Sequence, residues 1–225
     1  MKKLFLALLA VGVSASAASA QVEIGLRLSP AVTSLRADGS ANKFEGKSKV
    51  SLGGGLVVDY FFGENYAFST GIDLVGKGGK LTYTDKDPNT QATLQQELKI
   101  GAQYLQVPLT IKLFTNDIAT DTKLYFQLGG YLGANIGTRI DGEKEFTDPG
   151  SGETFKSNKF LLIPDAGVLA GFGTEYQVGQ STKVFAGLRY QRGLPNIDNY
   201  FEDERSFSNV VIKNSEFVLD LGMKF

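Results

Sequence analysis

Beyond residue 20, apolar side chains recur at every second position through most of this chain. In Phe217-Val218-Leu219-Asp220-Leu221-Gly222-Met223-Lys224-Phe225, one parity carries Phe, Leu, Leu, Met and Phe, and the other Val, Asp, Gly and Lys. Period-two alternation marks a strand with two unlike faces. Eight such segments predict strands at about 21–29, 50–61, 66–84, 96–114, 122–140, 159–177, 182–193 and 212–225. Their connections alternate in length. Residues 62–65, 115–121 and 178–181 are short, whereas Pro30–Lys49, Asp85–Gln95, Asp141–Asn158 and Leu194–Val211 are long and polar. An even set of strands with tight turns at one end and long loops at the other predicts an antiparallel up-and-down β-barrel.

Parity then assigns the faces. Leu26 and Leu28, Leu56 and Val58, Ile72 and Leu74, Leu105 to Leu113, Phe126 and Leu128, Val168 and Phe172, and Leu188 share one face with their odd or even neighbours, free of charge. A Lys or Arg facing lipid at the midplane costs about 2–4 kcal/mol, so this charge-free face is expected to meet lipid. Arg27, Asp59, Asp73, Lys112, Glu175, Arg189, Asp220 and Lys224 fall on the opposite parity and are expected to point inward. A soluble lipocalin-like barrel also alternates. Here the charged face carries Gly53, Gly55, Gly71, Gly129, Gly133, Gly167, Gly171, Gly173, Gly187 and Gly222. An eight-stranded lumen is only wide enough for its side chains, so long inward residues need small neighbours, and a water-facing surface does not. The membrane barrel is the better account.

Alternation slips phase around Gly76-Lys77-Gly78-Gly79-Lys80 and between Leu98 and Tyr104. About 9–11 residues cross a bilayer, so bulges there are expected above it. Pro108 falls in a central strand, where it withholds a ladder donor, and the sequence offers no reason for it.

The start of the chain fits export. Lys2 and Lys3, an apolar run from Leu4 to Val13 and Ala18-Ser19-Ala20 read as a cleaved signal peptide over 1–20, leaving 21–225 as one barrel domain. The apolar run is roughly half of the ~20 residues a spanning helix needs. Loss of Lys2 and Lys3 from the 23 basic residues leaves 21 against 24 acidic ones, about −3, which gives nucleic acid no basic face. The chain has no Cys and no His, which removes thiolate metal sites, the usual catalytic base and the Ser-His-Asp design. No enzyme activity, metal or cofactor is expected.

Tyr104-Leu105-Gln106-Val107-Pro108-Leu109-Thr110-Ile111-Lys112-Leu113 resembles the "YLEIPLLLK" strand of the small outer-membrane β-barrel family often labelled porin-family, with Pro108 and Lys112 on its Pro and Lys. Leu124 to Gly133, Gly167 to Tyr176 and Arg189 to Ile197 follow in the family's order, the last resembling its "RYxxGLxNI" stretch. The resemblance implies an integral protein of the bacterial outer membrane. It also implies that Phe225 belongs to the signal read by the barrel-assembly machinery. Some related barrels are accessory parts of a secretion and gliding machine, so that role stands as an alternative, as does a narrow passive channel.

Three further groups need a reading. The inward charges are expected to pair in a closed network that fills the lumen, since an unpaired buried charge costs several kcal/mol. Asp198, Glu202, Asp203 and Glu204, with Tyr200, Phe201 and Phe207, match no ordered cation loop and read as a solvated loop whose aromatics pack on the rim. Tyr60, Phe61, Phe62, Tyr66, Phe114, Tyr176 and Phe225 read as an aromatic girdle at the turn end. The expected role is structural or surface-interacting, with partners met through the four long loops and outer-membrane lipid around the wall.

Overall fold

The computed structural model describes residues 21–38, 44–86, 93–148, 152–201 and 209–225. The expected signal segment 1–20 lies outside these, as do Asp87, Pro88 and Asn89 and the loop residues Glu202, Asp203, Glu204 and Phe207. The strands are β1 (Val22–Asp38), β2 (Glu45–Lys47), β3 (Lys49–Gly63), β4 (Tyr66–Lys86), β5 (Thr93–Phe114), β6 (Thr122–Ile140), β7 (Glu145–Thr147), β8 (Thr154–Lys156), β9 (Pro164–Gln177), β10 (Lys183–Gly193) and β11 (Val211–Lys224). Eight of them, β1, β3, β4, β5, β6, β9, β10 and β11, pair antiparallel with both neighbours and close into a ring. The seam is the β1–β11 pair, running from Gly25 opposite Lys224 to Asp38 opposite Val211. No helix among the described residues is long and apolar enough to cross a membrane.

β1, β4 and β5 run longer than the sequence pattern implied, whereas the strand expected from residue 159 is shorter: β9 starts at Pro164, because Ser157–Lys159 form a 3-10 turn and Phe160 and Leu161 turn into an apolar cluster. The stretch read as the loop Pro30–Lys49 continues β1 to Asp38 and then forms β2, which pairs with β4. The stretch Asp141–Asn158 holds the β7–β8 hairpin. At 21 and 22 residues, β4 and β5 are about twice what a bilayer requires, so their upper halves stand in water.

That change of solvent explains one of the two apparent phase slips. In β5 the even residues stay inward without interruption, from Leu98 and Ile100 through Tyr104 and Gln106 to Lys112. What inverts is polarity. Within the membrane the outward residues are Leu105 to Leu113 and the inward ones polar. Above it the outward residues are Glu97, Lys99 and Gln103, and the inward ones apolar. The true irregularities lie beside it. β6 holds an extra residue at Ile136, because Gln103 faces Gly137 while Tyr104 faces Asn135. Near β3, Gly53 faces Val75 while Lys47 faces Lys80, so residues 48–52 lie opposite the shorter run 76–79.

The upper interior is a compact apolar cluster. Leu35, Leu81, Tyr83, Ile100, Tyr104 and Ile140 of the wall meet Phe146, Phe160, Ile197, Tyr200, Phe201 and Val210 from the connections. Phe160 stacks on Tyr200 at 4.6 Å, and Tyr83 meets Phe201 edge-on at 5.0 Å. Tyr200 and Phe201 are therefore core residues that roof the barrel rather than rim residues. Pro108 also finds its place. The β4–β5 pairing lapses between Thr70–Leu109 and Asp73–Gln106 with no change of register, opposite the missing proline donor, and the Thr70 hydroxyl donates to the Pro108 carbonyl at 2.8 Å.

Candidate functional site: the charged lumen

All eight charged residues assigned to the inward face are buried inside the ring. They do not form one network of equal members. They fall into tiers, set by how far along its strand each residue lies.

The lowest tier centres on Asp59 of β3. Its carboxylate accepts from Lys112 at 2.9 Å, from Lys224 at 2.7 Å and from the Ser69 hydroxyl. Lys224 also pairs with Glu175 and, at 3.2 Å, with Glu23, which pairs in turn with Lys183. Lys112 lies 5.2 Å from the Tyr125 ring centroid and Lys224 5.5 Å from that of Phe114, so aromatic faces help offset the desolvation of the ammonium groups. In the middle tier the Arg27 Nε donates to Asp73 at 3.0 Å, Arg189 donates to Asp220 at 3.0 Å, and the Ser29 hydroxyl donates to Asp220 at 2.6 Å. Arg189 lies 3.8 Å from Asp73 and links the two pairs.

A third tier was not read from the sequence. Lys77 of β4 sits 3.1 Å from both Asp165 and Glu216, and 4.0 Å over the Tyr131 ring, while Asn214 donates to Asp165 at 2.9 Å. Glu23 and Lys183 were missed as well. The signal was present: Lys77 shares its parity with Asp73, Glu216 with Asp220, and Glu23 with Arg27. The supposed phase slip at 76–80 hid the first of them. Counted by tier among the described residues, three cations face three carboxylates below, two face two in the middle, and Lys77 faces two above.

The inward glycines make room for aromatics as well as for charges. A Cβ on Gly187 would stand 2.1 Å from the Tyr125 hydroxyl, and one on Gly173 2.5 Å from it. A Cβ on Gly222 would stand 2.3 Å from the Phe185 ring. The expected girdle therefore divides. Tyr60, Phe62, Tyr66, Tyr176 and Phe225 are exposed, whereas Phe114 points inward and packs with Tyr125 and Phe185, with Phe61 against them. Phe61 shares the parity of Asp59, and Phe114 that of Lys112, which is the physical reason. The Phe225 backbone completes the seam, its N–H donating to the Ile24 carbonyl at 2.9 Å.

The lumen thus presents paired, hydrogen-bonded charges at the height of the membrane and an apolar cluster above them. No functionally characterised protein matches the chain by sequence. Among solved structures it is similar to Neisserial surface protein A (14% identity over 91% of this chain and 97% of that one, TM-score 0.45). It is also similar to the outer membrane protein OprG from Pseudomonas aeruginosa (15% over 92% and 96%, TM-score 0.46) and to Ail, the attachment invasion locus protein of Yersinia pestis (13% over 91% and 99%, TM-score 0.41). The family model described as "Outer membrane protein beta-barrel domain" matches residues 14–199. With that match over most of its length, and a closed ring of eight strands, the chain belongs to the outer membrane protein β-barrel domain family and resides in the bacterial outer membrane.

Proposed function

We propose that this outer-membrane barrel is a closed, non-enzymatic wall element whose contacts with other envelope or surface molecules are made by its long connections. The observation that carries the reading is the filled interior. Three tiers of mutually paired side chains lie beneath an apolar roof that includes Phe146, Phe160, Tyr200 and Phe201. An eight-stranded lumen has room for side chains and little else. The missing His supports a role without acid–base catalysis, and no cofactor is needed. Phe225, exposed beside β1, is available to the barrel-assembly machinery during insertion.

The deciding experiment is planar-bilayer recording on the purified, heat-shiftable barrel. A closed wall element gives no conductance steps above background. Reproducible steps would replace this reading with the narrow channel. Co-purification of one envelope complex, with a secretion or gliding defect on deletion, would replace it with the machine subunit.

A further inference from the structure

The outer wall carries a recess of about 880 Å³ on the loop side of the membrane belt. It is lined from two irregular places on the wall: β3 departs from β4 above Gly53, and β6 bulges at Ile136. Glycines give it depth. Gly76, Gly101 and Gly137 line it, and a Cβ on Gly137 would meet no atom within 4 Å.

Its lining is cationic. Lys49, Lys99, Arg139, Lys144 and Lys156 contribute, against Asp141 and Glu145. The Asp141 carboxylate is already engaged by the Lys99 backbone N–H at 2.9 Å. Lys49 places its ammonium 3.2 Å from where a Gly101 Cβ would stand, inside the recess, and its charge and that of Lys99 oppose each other. Among the described residues, none of Lys49, Lys99, Lys144 and Lys156 has a carboxylate within 4.0 Å. Converging, uncompensated cations hold each other at unfavourable distance unless an anion joins them, and Arg139 adds the planar donor set suited to phosphate. The lower border is apolar. Val50, Leu52 and Ile136 point outward at 80, 63 and 57% exposure. An occupant with a polyanionic head and hydrocarbon tails fits both halves, and at this height on the wall such molecules are lipids.

We propose that this recess binds the phosphate-bearing headgroup of an outer-leaflet lipid, its acyl chains lying on Val50, Leu52 and Ile136. The inference rests on the outer-membrane placement and is independent of whether the lumen is closed. It is tested by reconstituting the folded protein, purified from outer membranes, in phosphatidylcholine vesicles containing bisphosphorylated lipid A, then re-extracting it and counting retained phosphorylated lipid per barrel. Wild type retains it above the bulk ratio. The Lys49→Gln/Lys99→Gln/Arg139→Gln variant falls to the bulk ratio, and so does Gly137→Leu, which projects a side chain into the recess and keeps every charge. Lys47→Gln/Lys80→Gln, which removes charge from the same end outside the recess, behaves as wild type. Heat-shiftable migration verifies each fold. Bulk-level retention by wild type, unchanged retention in both recess variants, or equal retention of dephosphorylated lipid A overturns the proposal. Displacement by an equal concentration of inorganic phosphate also overturns it, since the site would then take the free anion.

Discussion

Lys224 of β11 lies 2.7 Å from Asp59 of β3, so one ion pair spans β1 and ties together the two strands flanking the seam's first member. Closure of a barrel depends on its first and last strands meeting, and this pair forms only when they do. Lys224→Met leaves Glu175 and Glu23 with less cation to share, and uncompensated buried charge costs on the order of 3–5 kcal/mol. The variant should unfold at a clearly lower urea concentration in detergent. Adding Asp59→Asn should cost less than the separate effects combined, because Asp59 and Lys224 act as one unit. Additive losses would show that the seam is not held by this tier.

The upper tier makes an opposite pair of expectations. Lys77 faces both Asp165 and Glu216, so Lys77→Met leaves two carboxylates together and destabilises by a similar few kcal/mol. Glu216→Gln leaves one cation facing one carboxylate and should be neutral or mildly stabilising. Urea midpoints of the two variants read this directly. Equal losses in both would mean that Glu216 is worth more as a charge than the tier count allows.

The sequence made the ring and, apart from Glu23 and Lys183, the lower two tiers legible because both rest on parity, which is local: a residue's face follows from its neighbours two positions away. Arg27, Asp59 and Asp220 could be placed in this way without knowing any partner. The roof was not legible. Tyr200 and Phe201 stand just before the acidic run Glu202-Asp203-Glu204 in the connection after β10, and only the fold brings them to Tyr83 and Phe160. Polarity inversion along β5 was misread as a bulge because sequence reports apolar and polar positions, not the height at which lipid gives way to water. The extra residue that does exist, Ile136, sits in an unremarkable alternating run and shows only in the register.

Packing between the lower and middle tiers yields a suppressor test. Gly187→Ala would set a Cβ 2.1 Å from the Tyr125 hydroxyl and 2.9 Å from the Phe172 carbonyl. Overpacking of this kind costs typically about 1–3 kcal/mol. Tyr125→Phe removes the closer atom and should recover part of the loss in the double variant, measured as the unfolding midpoint. No recovery would place the strain on the β9 backbone instead.

The roof and the charged tiers are separate closures, and one variant distinguishes them. Phe201→Ala removes a fully buried ring that touches Tyr83, Phe160 and Tyr200, a change that costs about 3–5 kcal/mol in a packed core. That loss falls on the connections above the membrane, which have their own apolar cluster, so opening there should be local. Limited proteolysis should then cut the connection after β10 faster, while heat-shifted migration of the barrel persists. Bilayer recordings should stay silent, because Arg27–Asp73, Arg189–Asp220 and the Asp59 tier still occupy the lumen below. Conductance appearing in Phe201→Ala alone would mean that the roof, and not the charged tiers, closes this barrel.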